Sequence, residues 1–289
     1  MKRTLLLLCA AALIGAPAAA ASPALEAGYV MPETEWWDLT ADEGQVYRIY
    51  ISRPQGEAPK EGYPVLYVLD GNAMFGGFAE GRRIQSVYAG GADKMIIVGV
   101  GYPGGRLYEG RRVGDFTPPI KNAALASFHA KDPQGGRDRF ESFLIDKLRP
   151  ELARRYPVNA ARQSLFGHSL GGLFAMHMLY ARPEAFHTII ATSAALWWDD
   201  QMILQEEEAF RAKLAAGKGA IRPARVLLAV GENEEMPVMV TENRLLAQRL
   251  AELSRYGLRS EFMVLDDEGH LTVPHRSITA ALRWAKQWP

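Results

Sequence analysis

The chain has 289 residues, of which 48% are hydrophobic, and it balances 33 basic against 33 acidic side chains. This composition can fill a substantial core and fits one large domain, because α/β domains of this length are often undivided. The balanced charge gives no basic field for nucleic acid or an anionic membrane, so a preference for an anionic ligand would have to arise locally.

The N-terminal residues 1–21 have the pattern of a secretory signal peptide. Two basic residues precede the apolar stretch 4–14, which is too short to span a membrane, and small residues lead to a cleavage site after Ala21. We therefore expect a periplasmic or secreted protein whose mature chain, 22–289, is one domain with no membrane segment. The one cysteine, Cys9, lies in the signal, so the mature chain would form no disulfide.

Short β-branched or apolar segments alternate along the chain with segments of helical periodicity. The predicted strands are 46–51, 65–69, 95–100, 164–166, 188–191, 226–230 and 261–265. The predicted helices are 140–155, 170–181, 201–215, 242–256 and 277–288. The alternation predicts an α/β fold, with a mostly parallel central sheet and helices on both faces.

Residues 102–136 are rich in Gly, Pro and Arg and show no clear periodicity. They follow the carboxyl end of a predicted strand, where open α/β sheets bind ligands. A segment of this length without regular structure is usually functional or mobile, so we expect it to border a site. The alternative is a surface excursion without a function.

A serine lies between glycines where the strand 164–166 gives way to a helix. Gly167, Ser169 and Gly171 have the G-x-S-x-G spacing, and Gly172 follows. Small neighbours leave room for strained backbone angles at a tight strand-to-helix turn, so the pattern predicts a nucleophile elbow with Ser169 as the nucleophile. An ordinary glycine-rich turn is the alternative.

The serine needs a base, and in α/β-hydrolases the acid and the histidine follow it in the chain. His270 comes just after the last predicted strand and is therefore the predicted base, with His275 as the runner-up. His177 and His187 lie away from the carboxyl ends of the strands. His168, next to the serine, is expected to shape the pocket.

The acid is expected after the strand 226–230, where three glutamates follow within five residues. It would hold the histidine in the required tautomer and stabilise the imidazolium. We favour Glu234 over Glu232, and a Ser-His dyad without an acid is a further alternative.

Two backbone N–H groups are needed to stabilise the oxyanion of a tetrahedral intermediate. One is predicted to be that of Leu170, directly after the nucleophile. The other is predicted at Asn72, with Gly71 next, because this loop follows the strand 65–69. A simple Asp-Gly turn is the alternative for this loop.

Four segments carry a family resemblance: GYPVLYVLDGNAMF, VGVGYPGGRLYEGRRVGDFTPP, SLFGHSLGGLFAMHMLYARPEAF and ATSAALWW. They resemble the esterase family of α/β-hydrolases, and most of all its periplasmic branch acting on the iron-siderophores enterobactin and salmochelin. The resemblance runs from about residue 46 to the end. It implies a serine hydrolase without metal or organic cofactor, with nucleophile, base and oxyanion loop at Ser169, His270 and residues 70–72.

The same resemblance implies a catecholate trilactone substrate, whose ferric form is anionic. Arg106, Arg111 and Arg112 lie in the segment 102–136 and could bind catecholate oxygens in the fork geometry of arginine. Trp197 and Trp198 follow a predicted strand and could form an aromatic wall. Alternatively, the arginines form a solvated face and the tryptophans belong to the core.

Three functions are therefore compatible with the sequence. The first is an exported serine esterase acting on a catecholate siderophore, a small-molecule substrate. The second is an esterase or acyltransferase of the same fold acting on feruloyl, acetyl or other acyl esters. The third is a binding protein without catalytic activity. No oligomeric state is indicated.

Overall fold

A mixed sheet organises the part of the chain that the computed structural model describes, which is residues 30–87, 94–218 and 224–287. The predicted signal peptide, 1–21, lies outside these residues. The sheet has eight strands in the order β1-β2-β4-β3-β5-β6-β7-β8. They are β1 Thr34–Thr40, β2 Val46–Ser52, β3 Tyr63–Leu69, β4 Ile96–Gly101, β5 Val158–His168, β6 Thr188–Thr192, β7 Arg225–Gly231 and β8 Arg259–Leu265.

The six strands β3 to β8 run parallel to one another, whereas β2 is antiparallel both to β4 and to the marginal strand β1. Every residue of β3, β4, β6 and β7 is buried. Strands that are buried on both faces require helices above and below the sheet, which explains their continuous apolar runs. The structure confirms the predicted α/β-hydrolase fold class.

Eleven α-helices occur within the described residues. They are α1 Gly71–Gln85, α2 Arg111–Phe116, α3 Ala123–Phe128, α4 Arg137–Ser142, α5 Arg149–Arg155, α6 Leu170–Ala181, α7 Trp198–Gln201, α8 Ile203–Ala215, α9 Pro237–Ala251, α10 Val273–Arg276 and α11 Ile278–Lys286. A π-helical turn, Phe143–Leu148, joins α4 to α5, and a 3₁₀ turn, Glu252–Tyr256, follows α9. The helix α6 is apolar all round, and its residues 170–180 are all buried.

Four elements differ from the sequence-based expectation. The strand β1 and the helix α1 were not predicted, and the segment 102–136 contains the short helices α2 and α3 rather than irregular backbone alone. In α1, a Cβ on Gly77 would lie 2.7 Å from Cδ1 of Ile278 on α11. Glycine therefore allows α1 and α11 to approach closely, and it also weakens the helical signal of α1.

Candidate active site

Ser169 lies at the junction of β5 and α6 with φ 58° and ψ −117°, a conformation that side-chain-bearing residues rarely adopt. A Cβ on Gly167 would lie only 2.0 Å from the carbonyl oxygen of Gly171, and one on Gly172 would lie 3.0 Å from Cα of Ala194. Glycine is therefore required at Gly167 for the turn to close, and at Gly172 it allows α6 to pack closely against the segment after β6. This geometry is that of a nucleophile elbow.

The imidazole of His270 lies between Ser169 and Glu234. Its Nε2 is 3.0 Å from Oγ of Ser169, and its Nδ1 is 2.8 Å from Oε2 of Glu234. Ser169 follows β5, Glu234 follows β7 and His270 follows β8. The carboxyl ends of these parallel strands lie at one edge of the sheet. The structure thus brings the three predicted residues into one hydrogen-bonded line, in which the carboxylate can orient the imidazole and the imidazole can accept the hydroxyl proton.

Glu234 is buried and receives further hydrogen bonds from the Ser193 hydroxyl and, at 3.3 Å, from the Gly231 N–H. Burial by itself raises the pKa of the Glu234 carboxyl. The hydrogen bonds from His270 and Ser193 outweigh burial, so the pKa lies below its ordinary value and the carboxylate is charged at neutral pH. Ser193, which directly follows β6 and has φ 44°, is a partner of the acid that no sequence pattern marks.

The two neighbouring glutamates bind backbone instead of the imidazole. Oε2 of Glu232 accepts the N–H of Asp267 at 3.3 Å, and Oε2 of Glu235 accepts the N–H of His270 at 3.2 Å. Glu232, the alternative acid, therefore bonds to a backbone N–H and not to the imidazole of His270, which the acid of a triad must orient. Glu234 is the glutamate placed to orient His270.

His168 is only 2% exposed and its Nε2 is 2.8 Å from the carbonyl oxygen of His270. A carbonyl can only accept, so Nε2 carries the proton. Burial, reinforced by the nearby His270 and Arg112, holds the pKa of His168 well below its ordinary value, so the ring is neutral. His168 thus holds the backbone of His270, and its role in shaping the pocket stays a prediction.

His177 and His187 have partners away from Ser169. His177 contacts Glu206 and Glu141 at 2.6 and 3.1 Å, and His187 contacts the carbonyl oxygen of Gln287 at 3.2 Å. His275, the runner-up for the base, is exposed on α10.

The predicted oxyanion donors lie in the first turns of α6 and α1, where backbone N–H groups have no partner inside the helix. Leu170 opens α6 and Asn72 is the second residue of α1. The Asn72 side chain holds this loop to the end of β4, since its Oδ1 accepts the Tyr102 N–H at 2.8 Å and its Nδ2 donates to the Tyr102 carbonyl at 3.0 Å. The oxyanion role of both N–H groups stays a prediction.

The three predicted substrate arginines differ sharply in their surroundings. Arg111 donates to the carbonyl oxygen of Val46 at 3.0 Å, and its guanidinium lies 4.9 Å from the Tyr47 ring centroid. Arg112 forms two hydrogen bonds with Asp70. Arg106 is exposed. Protein groups thus hold Arg112 and part of Arg111, whose Nη2 is buried with no hydrogen-bond partner among the described residues. That Arg111 and Arg112 bind substrate stays a prediction.

The two predicted pocket tryptophans also differ. Trp198 is 2% exposed and its ring centroid lies 5.1 Å from that of His129. It is a core side chain, and the expectation that it forms a wall of the pocket is wrong, since the turn after β6 directs it inwards. Trp197 is partly exposed and stays a predicted pocket residue.

Within the described ranges, no group of three or more His, Cys, Asp or Glu side chains is arranged to hold a metal ion. The described helices are also all too short or too polar to cross a membrane.

A serine, a histidine and a glutamate at the carboxyl edge of this sheet, with the serine on a strained elbow, define the α/β-hydrolase class. A family model described as "Putative esterase" matches residues 41–265. The chain belongs to this esterase family and is a hydrolase.

Named relatives agree with this assignment. The ferri-bacillibactin esterase BesA of Bacillus subtilis (strain 168) is 36% identical over 265 residues, covering 89% of this chain and 91% of that protein. The siderophore enterobactin esterase of Emericella nidulans is 31% identical over 214 residues, or 70% of each chain. The crystal structure of the BES protein from Bacillus cereus has a TM-score of 0.84 and 34% identity, covering 93% of this chain and 100% of that one.

Proposed function

We propose that the protein is an exported serine esterase that hydrolyses the ester bonds of a catecholate siderophore trilactone such as enterobactin. The hydrogen-bonded line from Ser169 through His270 to Glu234 is the observation that carries the hydrolase mechanism. The similarity to esterases of ferri-bacillibactin and enterobactin supports the substrate class. The signal-like residues 1–21 support export.

In the first half of the reaction, Nε2 of His270 takes the proton of the Ser169 hydroxyl while Oγ attacks the ester carbonyl carbon. The carbonyl oxygen becomes an oxyanion, which the N–H groups of Leu170 and Asn72 stabilise. When the intermediate collapses, the C–O bond breaks and the leaving alkoxide takes the proton from His270. The products are a free alcohol and an acyl group on Ser169.

In the second half, a water molecule gives a proton to His270 and its oxygen attacks the acyl carbon. Collapse of this second intermediate breaks the bond to Oγ, and the proton returns from His270 to Ser169. Glu234 stays ionised throughout, consistent with its lowered pKa, and stabilises the imidazolium that forms twice in each cycle.

The substrate proposal is tested with the purified mature chain against apo and ferric enterobactin, a feruloyl ester and a short-chain nitrophenyl ester. We expect linear catechol-serine fragments, resolved by chromatography and mass spectrometry, to form faster than feruloyl release. Feruloyl turnover without siderophore cleavage would favour the second function. A Ser169 that no fluorophosphonate labels would favour a binding protein without activity.

Glu234→Gln is expected to lower kcat by about a hundredfold to ten-thousandfold, because the tautomer is lost while the oxyanion donors remain. Steady-state hydrolysis of the nitrophenyl ester measures the effect. Glu232→Gln is the matched control, since Glu232 accepts only the backbone N–H of Asp267. A severe loss in Glu232→Gln would reverse the assignment of the acid, and mild losses in both variants would indicate a dyad.

Arg106 is the arginine of the segment 102–136 that we propose for substrate binding, because it is exposed and follows β4 at the carboxyl edge of the sheet. Arg106→Ala is expected to raise KM for ferric enterobactin by about tenfold. This corresponds to the lower end of the free energy that a hydrogen bond to a charged group contributes to binding. Progress curves at low and high salt measure it, and the effect should shrink as salt screens the charges. An unchanged KM would remove Arg106 from the substrate site.

A further inference from the structure

Arg112 and Asp70 form a buried ion pair beside the candidate active site. Nε and Nη2 of Arg112 lie 2.7 and 2.9 Å from the two carboxylate oxygens of Asp70. The Asp70 side chain is 1% exposed and that of Arg112 is 13% exposed. A buried carboxylate is strongly destabilising without a partner, and within the described part of the chain Arg112 is the side chain that supplies one.

Asp70 is the residue that shapes the loop between β3 and α1. It has φ 52° and ψ 47°, and its carbonyl oxygen accepts the N–H groups of Ala73 and Met74, which starts α1. The predicted oxyanion donor Asn72 lies in that same turn. The orientation of the Asn72 N–H therefore depends on the conformation of Asp70. An aspartate tolerates the left-handed region of φ and ψ but does not favour it.

The same ion pair also borders the nucleophile elbow. Oδ2 of Asp70 lies 3.5 Å from the place that a Cβ on Gly171 would take, and Nη2 of Arg112 is 3.4 Å from the carbonyl oxygen of His168. One guanidinium thus contacts the oxyanion loop on one side and the residue before Ser169 on the other. Arg112 itself lies on α2, which is separate from both the oxyanion loop and the elbow.

The negative charge of Asp70 would affect the reaction if no cation balanced it. A lone Asp70 carboxylate beside the elbow would repel the negative charge that develops on the ester oxygen, and a buried site screens this repulsion weakly. The guanidinium, which stays charged at any working pH, cancels the charge of Asp70 and fixes its position through two bonds.

We propose that Arg112 is a positioning residue that holds the oxyanion loop against the elbow and neutralises Asp70, rather than a residue that binds substrate. This inference rests on the proposed serine esterase mechanism, but not on the identity of the ester. Its effect should therefore appear in kcat for any ester, including a neutral one.

The test compares Arg112→Met, Asp70→Asn and the double variant on a neutral nitrophenyl ester. Arg112→Met should lower kcat by about a hundredfold to a thousandfold, with little change in KM. This is the loss of kcat that follows the removal of one oxyanion donor, because Arg112 holds the loop that supplies such a donor. The double variant should recover about tenfold or more of that loss, because the uncompensated buried charge is gone. The labelling rate of Ser169 by a fluorophosphonate should follow the same order.

Arg48→Met is the matched control, because Arg48 also makes two bonds to an aspartate, Asp38, at 2.9 and 3.0 Å, but there the aspartate side chain is 37% exposed. It should leave kcat unchanged. Arg112→Lys, with and without Asp70→Asn, provides a milder pair if Arg112→Met does not fold, as judged by circular dichroism and thermal melting. In this pair Arg112→Lys should lower kcat less, and Asp70→Asn should not improve it, because lysine still neutralises Asp70.

Two outcomes would overturn the proposal. The first is a double variant that is no faster than Arg112→Met. The second is an Arg112→Met variant with a raised KM for ferric enterobactin and an unchanged kcat on the neutral ester, which would make Arg112 a substrate-binding residue. If the wild type does not cleave enterobactin but hydrolyses the nitrophenyl ester, the substrate proposal fails, while the kcat comparison still decides the role of Arg112.

Discussion

Ser169→Ala is expected to lower ester turnover by about a millionfold, because removal of the nucleophile disables a triad that works as a unit. The hydroxyl contacts Nε2 of His270, and alanine at this position removes that bond without adding bulk. Turnover of the nitrophenyl ester at high enzyme concentration measures the residual rate, and labelling by a fluorophosphonate should disappear in parallel.

The variant should fold like the wild type, since Gly167 and Gly172 close the elbow through backbone packing that the substitution leaves in place. Circular dichroism and the thermal midpoint provide this control. If a pure preparation kept more than about a tenth of the activity, the loss would be far below that expected for a nucleophile, and Ser169 would not be one.

His270→Ala is expected to be nearly as damaging as the serine variant, about a hundred-thousandfold to a millionfold in kcat, because the serine hydroxyl then has no base. The measurement is kcat on the same neutral ester as a function of pH. Hydroxide can partly replace a missing base, so the residual rate should rise steadily with pH instead of levelling off.

His275→Ala is the matched control for this variant, since His275 is exposed on the short helix α10 and lies only five residues further along the chain. We expect its activity to stay within about twofold of the wild type, as for most surface substitutions. A larger loss in His275→Ala than in His270→Ala would exchange the two assignments.

The elbow and the buried strands could be predicted because each depends on local sequence. The G-x-S-x-G spacing reflects a tight turn, in which a Cβ on Gly167 would strike the carbonyl of Gly171, and the buried strands are continuous apolar runs. Glu234 could be favoured because it follows a strand end by three residues, although sequence alone could not exclude Glu232.

The helix α1 could not be predicted because its glycines serve contacts with a distant part of the chain. Gly77 and Gly81 face Ile278 of α11, about two hundred residues further on, and glycine lowers the local helical signal. The strand β1 was missed for the opposite reason: its residues are partly or fully exposed at the sheet margin, so no apolar run marks it.

The arginines show why the roles of charged residues are difficult to predict from sequence. The sequence places Arg106, Arg111 and Arg112 in one glycine-rich segment, and any of them could face a ligand. The acid that binds Arg112 is Asp70, 42 residues earlier in the chain, and only the fold reveals that the two meet. The hydrogen bond from His168 to the carbonyl of His270 spans 102 residues and was hidden for the same reason.

His270 follows β8, the margin of the sheet, which is hydrogen-bonded to a neighbouring strand on one side only. Side chains from two other parts of the chain nevertheless hold its backbone, with His168 at the carbonyl oxygen and Glu235 at the N–H. The base is thus held by residues distant in sequence as well as by the strand that carries it. His168 and Glu235 anchor the base from outside its own strand, so we expect a substitution at either residue to displace His270 even though β8 is left intact.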